Sequence, residues 1–171
     1  MLIKRRAVIT AALTMAAAAT LAACGFQLRG SNHESTLPFA AIYLGFPETS
    51  TLGAELSRYI RSSGDTQVVA DSKAAQAIVE VLLETREKVV LSLNTQGRVR
   101  EYTLYYKLNF RVKNNADEEL LAPTEIILKR EISFNESQVL AKESEEALLY
   151  RDMQTDLVQQ VMRRLVAIKP S

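Results

Sequence analysis

Between Tyr102 and Val112 the side chains alternate without a break. Tyr102, Leu104, Tyr106, Leu108, Phe110 and Val112 fall on one side, and Thr103, Tyr105, Lys107, Asn109 and Arg111 on the other. A period of two turns successive side chains to opposite faces, so this segment is a β-strand with one dry face. Such a strand cannot stand alone. Its backbone needs neighbouring strands, and its apolar face needs a second layer.

The flanking sequence supplies both. Asn94-Thr95-Gln96-Gly97 has the composition of a hairpin turn, with Gly97 free to take positive φ. Upstream of it, Val79, Val81 and Leu83 alternate with Glu80, Leu82 and Glu84, and Val89, Leu91 and Leu93 with Val90 and Ser92. A second turn falls at Asn114-Asn115-Ala116-Asp117. Ile126, Leu128, Ile132 and Phe134 then continue as a strand, with Arg130 interrupting the apolar face. Near the start, the run from Phe39 to Phe46 has the length of a buried strand and stops at Pro47. Residues 66–70 are expected to form a brief strand and residues 71–75 a connector.

Two segments carry helical spacing. Ser50 or Thr51 caps a helix expected to run to about Ser63, stopped by Gly64, with Leu52, Leu56, Tyr59 and Ile60 on one face. A longer helix is expected from about Lys142 to Ile168, where Tyr150, Met153, Leu157, Val161, Leu165 and Ile168 recur every three or four residues. Glu143, Glu145 and Glu146 near its start and Arg163, Arg164 and Lys169 near its end suit the helix dipole. The expected fold class is α/β (α+β): a two-layer sandwich, with two helices packed on one face of a mostly antiparallel four- to five-stranded sheet. Residues 37–171 are expected to form a single domain. The register places Tyr102, Leu104, Tyr106, Leu108, Phe110 and Val112 under Tyr150, Leu157 and Val161.

The N-terminus is of another kind. Lys4, Arg5 and Arg6 precede an apolar run from Ala7 to Ala19, and small residues lead to Leu21-Ala22-Ala23-Cys24. This order marks residues 1–23 as an export signal. The run is too short and alanine-rich for a good membrane span, which needs about 20 apolar residues. Leu-Ala-Ala-Cys resembles the lipobox of bacterial lipoproteins. That implies cleavage before Cys24, which would carry the N-acyl and S-diacylglycerol lipid and anchor the protein to a membrane. Residues 24–36 are then a polar tether. Cys24 is the sole cysteine, so an intrachain disulfide is excluded. Removal of the signal takes the formal net charge from +1 to −2, which lacks the basic excess of a nucleic-acid binder.

The sequence holds no enzyme constellation. The only histidine, His33, lies in the tether, no spacing suits zinc, and no glycine-rich phosphate loop occurs. Carboxylate pairs such as Glu118-Glu119 and Glu145-Glu146 are expected on solvated surface. No cofactor is expected beyond the lipid on Cys24. Lys107, Asn109, Arg111 and Tyr105 form the polar face of the central strand. Around the hairpin, Arg86, Lys88, Arg98 and Arg100 are interleaved with Glu84, Glu87 and Glu101.

Four features resemble the LptE family of lipopolysaccharide-transport lipoproteins. These are Cys24-Gly25-Phe26-Gln27-Leu28-Arg29-Gly30 after the lipobox, Gln96-Gly97 followed by Glu101-Tyr102, Leu140-Ala141-Lys142, and the order of strands and helices. The resemblance implies a plug inside the outer-membrane β-barrel LptD, which it helps to assemble, with lipopolysaccharide as the second partner. It also implies that Lys142 contacts lipopolysaccharide. The family's other basic position, at the hairpin tip, falls on Thr95, so Arg98 or Arg100 is the expected substitute. Gly25 in place of an aspartate favours the outer membrane. The residues leave open an alternative: a periplasm-facing envelope lipoprotein that binds lipid or scaffolds a complex without a barrel.

Overall fold

The computed structural model describes residues 37–169. The signal, Cys24, His33 and the segment expected as a tether lie outside the described residues. The elements are β1 (Ala41–Gly45), α1 (Thr51–Ser63), β2 (Gln67–Val69), β3 (Ala77–Leu93), β4 (Val99–Lys113), β5 (Glu119–Ser133) and α2 (Val139–Val166). Short 3-10 turns at Ser72–Ala74 and Glu136–Gln138 precede β3 and α2. The five strands form one open sheet in the order β2-β1-β3-β4-β5. Its short pairings, β1 with β2 and with β3, are parallel, while the long pairings of β4 with β3 and β5 are antiparallel. The expected fold class is the one observed, as a mixed sheet with both helices in one second layer.

Local sequence explains the turns. At the β3–β4 tip Gly97 has φ 78°, and Asn94 Oδ1 accepts from the Gln96 and Arg98 amides. At the β4–β5 turn Asp117 takes φ 64°, and Asn114 Oδ1 accepts from the Ala116 and Glu118 amides. Both are asparagine side chains standing in for a backbone turn. Ser50 caps α1 by accepting from the Gly53 amide at 3.0 Å. Gly53 lets that first turn press on Phe46: a Cβ there would lie 2.5 Å from the Phe46 Cβ.

The core is the dry face of β4 beneath the helices. Leu104, Tyr106, Leu108, Phe110 and Val112 are all 0% exposed, and pack in one cluster with Leu52, Leu56, Ile60, Met153, Leu157, Val161 and Leu165. Tyr102 and Tyr150 are partly buried at its edge. Arg130 sits on this face because Asp156 of α2 receives it at 2.8 Å. Tyr59, expected on the buried face of α1, is instead 44% exposed.

β3 departs from its expected pattern. Val79 pairs with Val112 and Val81 with Phe110, but the next partners are Leu83 with Asn109 and Glu84 with Leu108. Leu82 is an extra residue, a β-bulge, and a one-residue shift exchanges the faces of residues 83–90, up to the next register shift between Val90 and Ser92. Leu83 therefore shares the outer face with Asn109, while Glu84, Arg86 and Lys88 turn toward the helices. α2 also begins earlier than expected, at Val139, so Glu143, Glu145 and Glu146 lie beyond its first turn and Lys142 lies within it.

Candidate functional site

The bulge builds a polar cluster under the helices. The Arg86 guanidinium lies 4.5 Å from the centre of the Tyr106 ring and 5.5 Å from that of Tyr150. It donates to Gln154 Oε1 at 2.7 Å and to the Tyr106 hydroxyl at 3.1 Å. That hydroxyl donates to Glu84 at 2.7 Å, and Glu84 also accepts from Ser50 Oγ at 2.8 Å. Gln154 Nε2 donates to Glu55. Burial, then the hydrogen bond to Glu84, pushes the Tyr106 hydroxyl well above its ordinary pKa, so it stays neutral. One turn along, Lys88 lies 4.4 Å over the Tyr102 ring and pairs with Glu146. Arg86 and Lys88 are thus consumed by packing. Gln154, which joins α1, α2 and β3, was not singled out in the sequence because it lies between two apolar stripe positions.

The outer sheet face neutralises itself. Lys107 pairs with Glu87 at 2.8 Å, and Arg111 with Glu80 at 2.7 Å. The Arg111 hydrogen bond holds the Glu80 carboxyl below its ordinary value, and the Glu87 hydrogen bond raises Lys107. Around these pairs Leu83, Val89 and Ile127 are about half exposed. Asn109 Oδ1 is shielded and has no hydrogen-bond partner among the described residues. The face is neutral and part apolar, not an anion-binding stripe.

The hairpin end gathers the three expected contact residues. β4 starts beside the end of β5: Glu101 pairs with Ser133, and the Phe134 amide donates to the Arg100 carbonyl at 2.7 Å. Lys142 donates to Ser133 Oγ at 3.0 Å and to Glu145 at 2.8 Å, with its side chain only 16% exposed. Glu145 offsets the cost of a lysine near the positive end of α2. Arg98 pairs with Glu136 at 3.0 Å, with both side chains more than half exposed. Such a pair contributes little and opens readily. Arg100 is exposed and has no ion pair among the described residues, and Thr95 is exposed at the turn. Val90, Leu91, Leu93, Val139 and Leu140 are also exposed. Exposed cations beside exposed apolar side chains match ligands with phosphates next to hydrocarbon.

No catalytic arrangement appears among the described residues. Glu118 is bound by Asn114, while Glu145 and Glu146 go to different lysines. No group of three or more His, Cys, Asp or Glu side chains there could hold a metal. An open depression lined by Tyr43, Phe46, Pro47, Val81 and Glu84 holds no ionisable group beyond Tyr43 and Glu84.

The family model LptE, lipopolysaccharide-assembly, matches residues 39–165. No curated protein matches the chain. Among solved structures, an uncharacterized lipoprotein B from Nitrosomonas europaea is 40% identical, with a TM-score of 0.71, covering 84% of this chain and 91% of that one. The rare lipoprotein B from Shewanella oneidensis is 23% identical, with a TM-score of 0.62 and coverage of 74% and 94%. A minor lipoprotein from Acinetobacter baumannii is 22% identical, with a TM-score of 0.61 and coverage of 77% and 93%. The last two share the fold.

Proposed function

The chain belongs to the LptE family of lipopolysaccharide-assembly lipoproteins, and from that premise we propose that it is a non-catalytic, lipid-anchored plug of the outer-membrane barrel LptD. In this reading it helps the barrel assemble and assists delivery of lipopolysaccharide to the outer leaflet. The observation that carries it is the family match across nearly the whole described domain. The neutral, ion-paired outer sheet face supports it, because the lumen of such a barrel is polar. Affinity purification in mild detergent at native expression is the test. A one-to-one complex with a large outer-membrane barrel is expected; recovery of the lipoprotein alone would favour a barrel-free envelope role.

The anchor is Cys24, with the chain starting there after cleavage. Intact mass of the membrane-extracted protein checks this, and a mass without acyl chains refutes it. At the hairpin end, Lys142 with Arg98 or Arg100 contacts lipopolysaccharide phosphates, displacing Glu145 and Glu136. Lys142→Asp and Arg98→Asp/Arg100→Asp should each weaken lipopolysaccharide binding while circular dichroism stays unchanged. Undiminished binding by both folded variants removes these residues from the site.

A further inference from the structure

The sheet of this domain neutralises its own cations, and the helix layer does not. Lys107, Arg111, Lys113, Lys129 and Arg130 of β4 and β5 all have acidic partners. On the second halves of the helices and just beyond, Arg58, Arg61, Arg163 and Lys169 are exposed and make no ion pair among the described residues. Arg164 reaches only the Gln160 carbonyl. No acid follows Glu55 in α1 or Asp156 in α2. The acids at the adjoining end of the sheet are mostly occupied: Asp117 pairs with Lys113, Glu118 accepts from Asn114, and Asp71 accepts from the Lys73 amide.

The topology gathers these cations. β1 and β5 run the same way in the sheet, and each helix returns antiparallel to the strand before it, so α1 and α2 are parallel. They meet where Thr51 donates to Gln154 at 2.7 Å. From that contact an equal helical rise, about 15 Å for ten residues, brings Arg61 to the level of Arg164. The helix dipoles account for only part of the charge. A helix C-terminus carries about half a negative charge, so two together offset roughly one of the cations. Arg98, Arg100 and Lys142 belong to the opposite, hairpin end.

We propose that Arg58, Arg61, Arg163, Arg164 and Lys169 form the charged contact of this domain with its barrel, facing carboxylates on the inner wall. The inference rests on the plug reading and adds to it a face and a partner chemistry. A cation enclosed without a counter-charge is costly, and one met by a carboxylate is not. The outer sheet face brings its own counter-charges into the lumen, so it needs none from the wall. The helix ends bring almost none, so enclosure requires the wall to supply acids there. Opposed charges of this kind also fix the rotation of a plug, because turning it would set the cations against the wrong part of the wall.

The test uses the native complex, purified in mild detergent, beside the chain from residue 24 onward with Cys24→Ser as the free form. Phenylglyoxal modifies accessible arginines, and mass spectrometry reads each one. Arg58, Arg61 and Arg163 should react in the free chain and lose that reactivity in the complex. Charge is read separately from enclosure. At about fivefold per pair, Arg58→Gln/Arg61→Gln/Arg163→Gln should hold the barrel roughly 100-fold less tightly. The glutamate triple should hold it less tightly still, and the lysine triple should retain it. Salt should weaken the parent complex more than the glutamine triple. All three positions are exposed, and the glutamine triple reads the effect should the glutamate triple lose its circular dichroism signature. Arginines that react equally in complex and free chain, or a folded glutamine triple that holds the barrel like the parent, overturn the proposal and leave the plug role standing. Recovery of the lipoprotein alone removes the plug role and this contact with it.

Discussion

Tyr106 shows how one side chain serves two layers. Its ring is fully buried in the core, yet its hydroxyl donates to Glu84 and accepts from Arg86. Tyr106→Phe keeps the ring and leaves those two charged groups each short of a partner. A loss of about 1–3 kcal/mol is expected by denaturant titration, the cost of a buried polar group left unsatisfied. The outer face holds a pH-dependent counterpart. Arg111, helped by Lys113, depresses the Glu80 carboxyl from its ordinary 4.5. A depressed acid stabilises the fold fully above its unfolded pKa, and loses that contribution as pH falls through the folded value. Glu80→Gln should therefore lower the melting temperature at neutral pH, and the gap from wild type should close on acidification. A gap that persists at low pH would mean that Glu80 acts through packing and not through its charge. The alternation of β4 made its buried face readable residue by residue. The turning of Arg86 toward the helices was not readable, because nothing in Arg86-Glu87-Lys88 distinguishes a hairpin that keeps its face from one shifted by a bulge.

Among the elements, β3 decides how the layers meet. Without the extra residue at Leu82, its first half would set the face of its second. Val89 would then point at α2, and Arg86 and Lys88 at solvent. Deleting Leu82 should force that exchange over residues 83–90 and break the contacts to Gln154, Tyr150 and Glu146. For scale, Leu108→Ala should cost about 2–5 kcal/mol, as for other fully buried leucines. The Leu82 deletion should cost more and should also lose the tertiary near-ultraviolet signal of the tyrosines around Arg86. A deletion milder than Leu108→Ala would show that the bulge can relocate along the strand. Both turns and both helix faces were legible because asparagine, glycine and apolar periodicity act locally. The bulge and the early start of α2 were not, because each is fixed by the strand or helix packed against it. The three expected contact residues could be named in the sequence. The carboxylate partner of Arg98 could not: Glu136 reaches it from a separate element.

For the whole molecule, the sheet has one dry face and two helices to cover it, and these differ in when they become available. α1 lies between β1 and β2, whereas α2 is the last element of the described chain. α2 supplies Met153, Leu157, Val158, Val161, Met162 and Leu165, a large part of the apolar roof over β3, β4 and β5. A chain ended after Phe134 should accordingly be recovered aggregated, while one ended after Ile168 should unfold cooperatively; a soluble, monomeric product of the shorter chain would contradict this. A chain made from its N-terminus completes every strand before the roof exists. During synthesis and transport it therefore carries a finished sheet edge and an apolar floor that α1 covers only in part, a state in which exposed surface promotes association. The C-terminal helix thus acts as a timer as well as a wall: until it docks, the nascent chain depends on holding factors to stay separate from its neighbours.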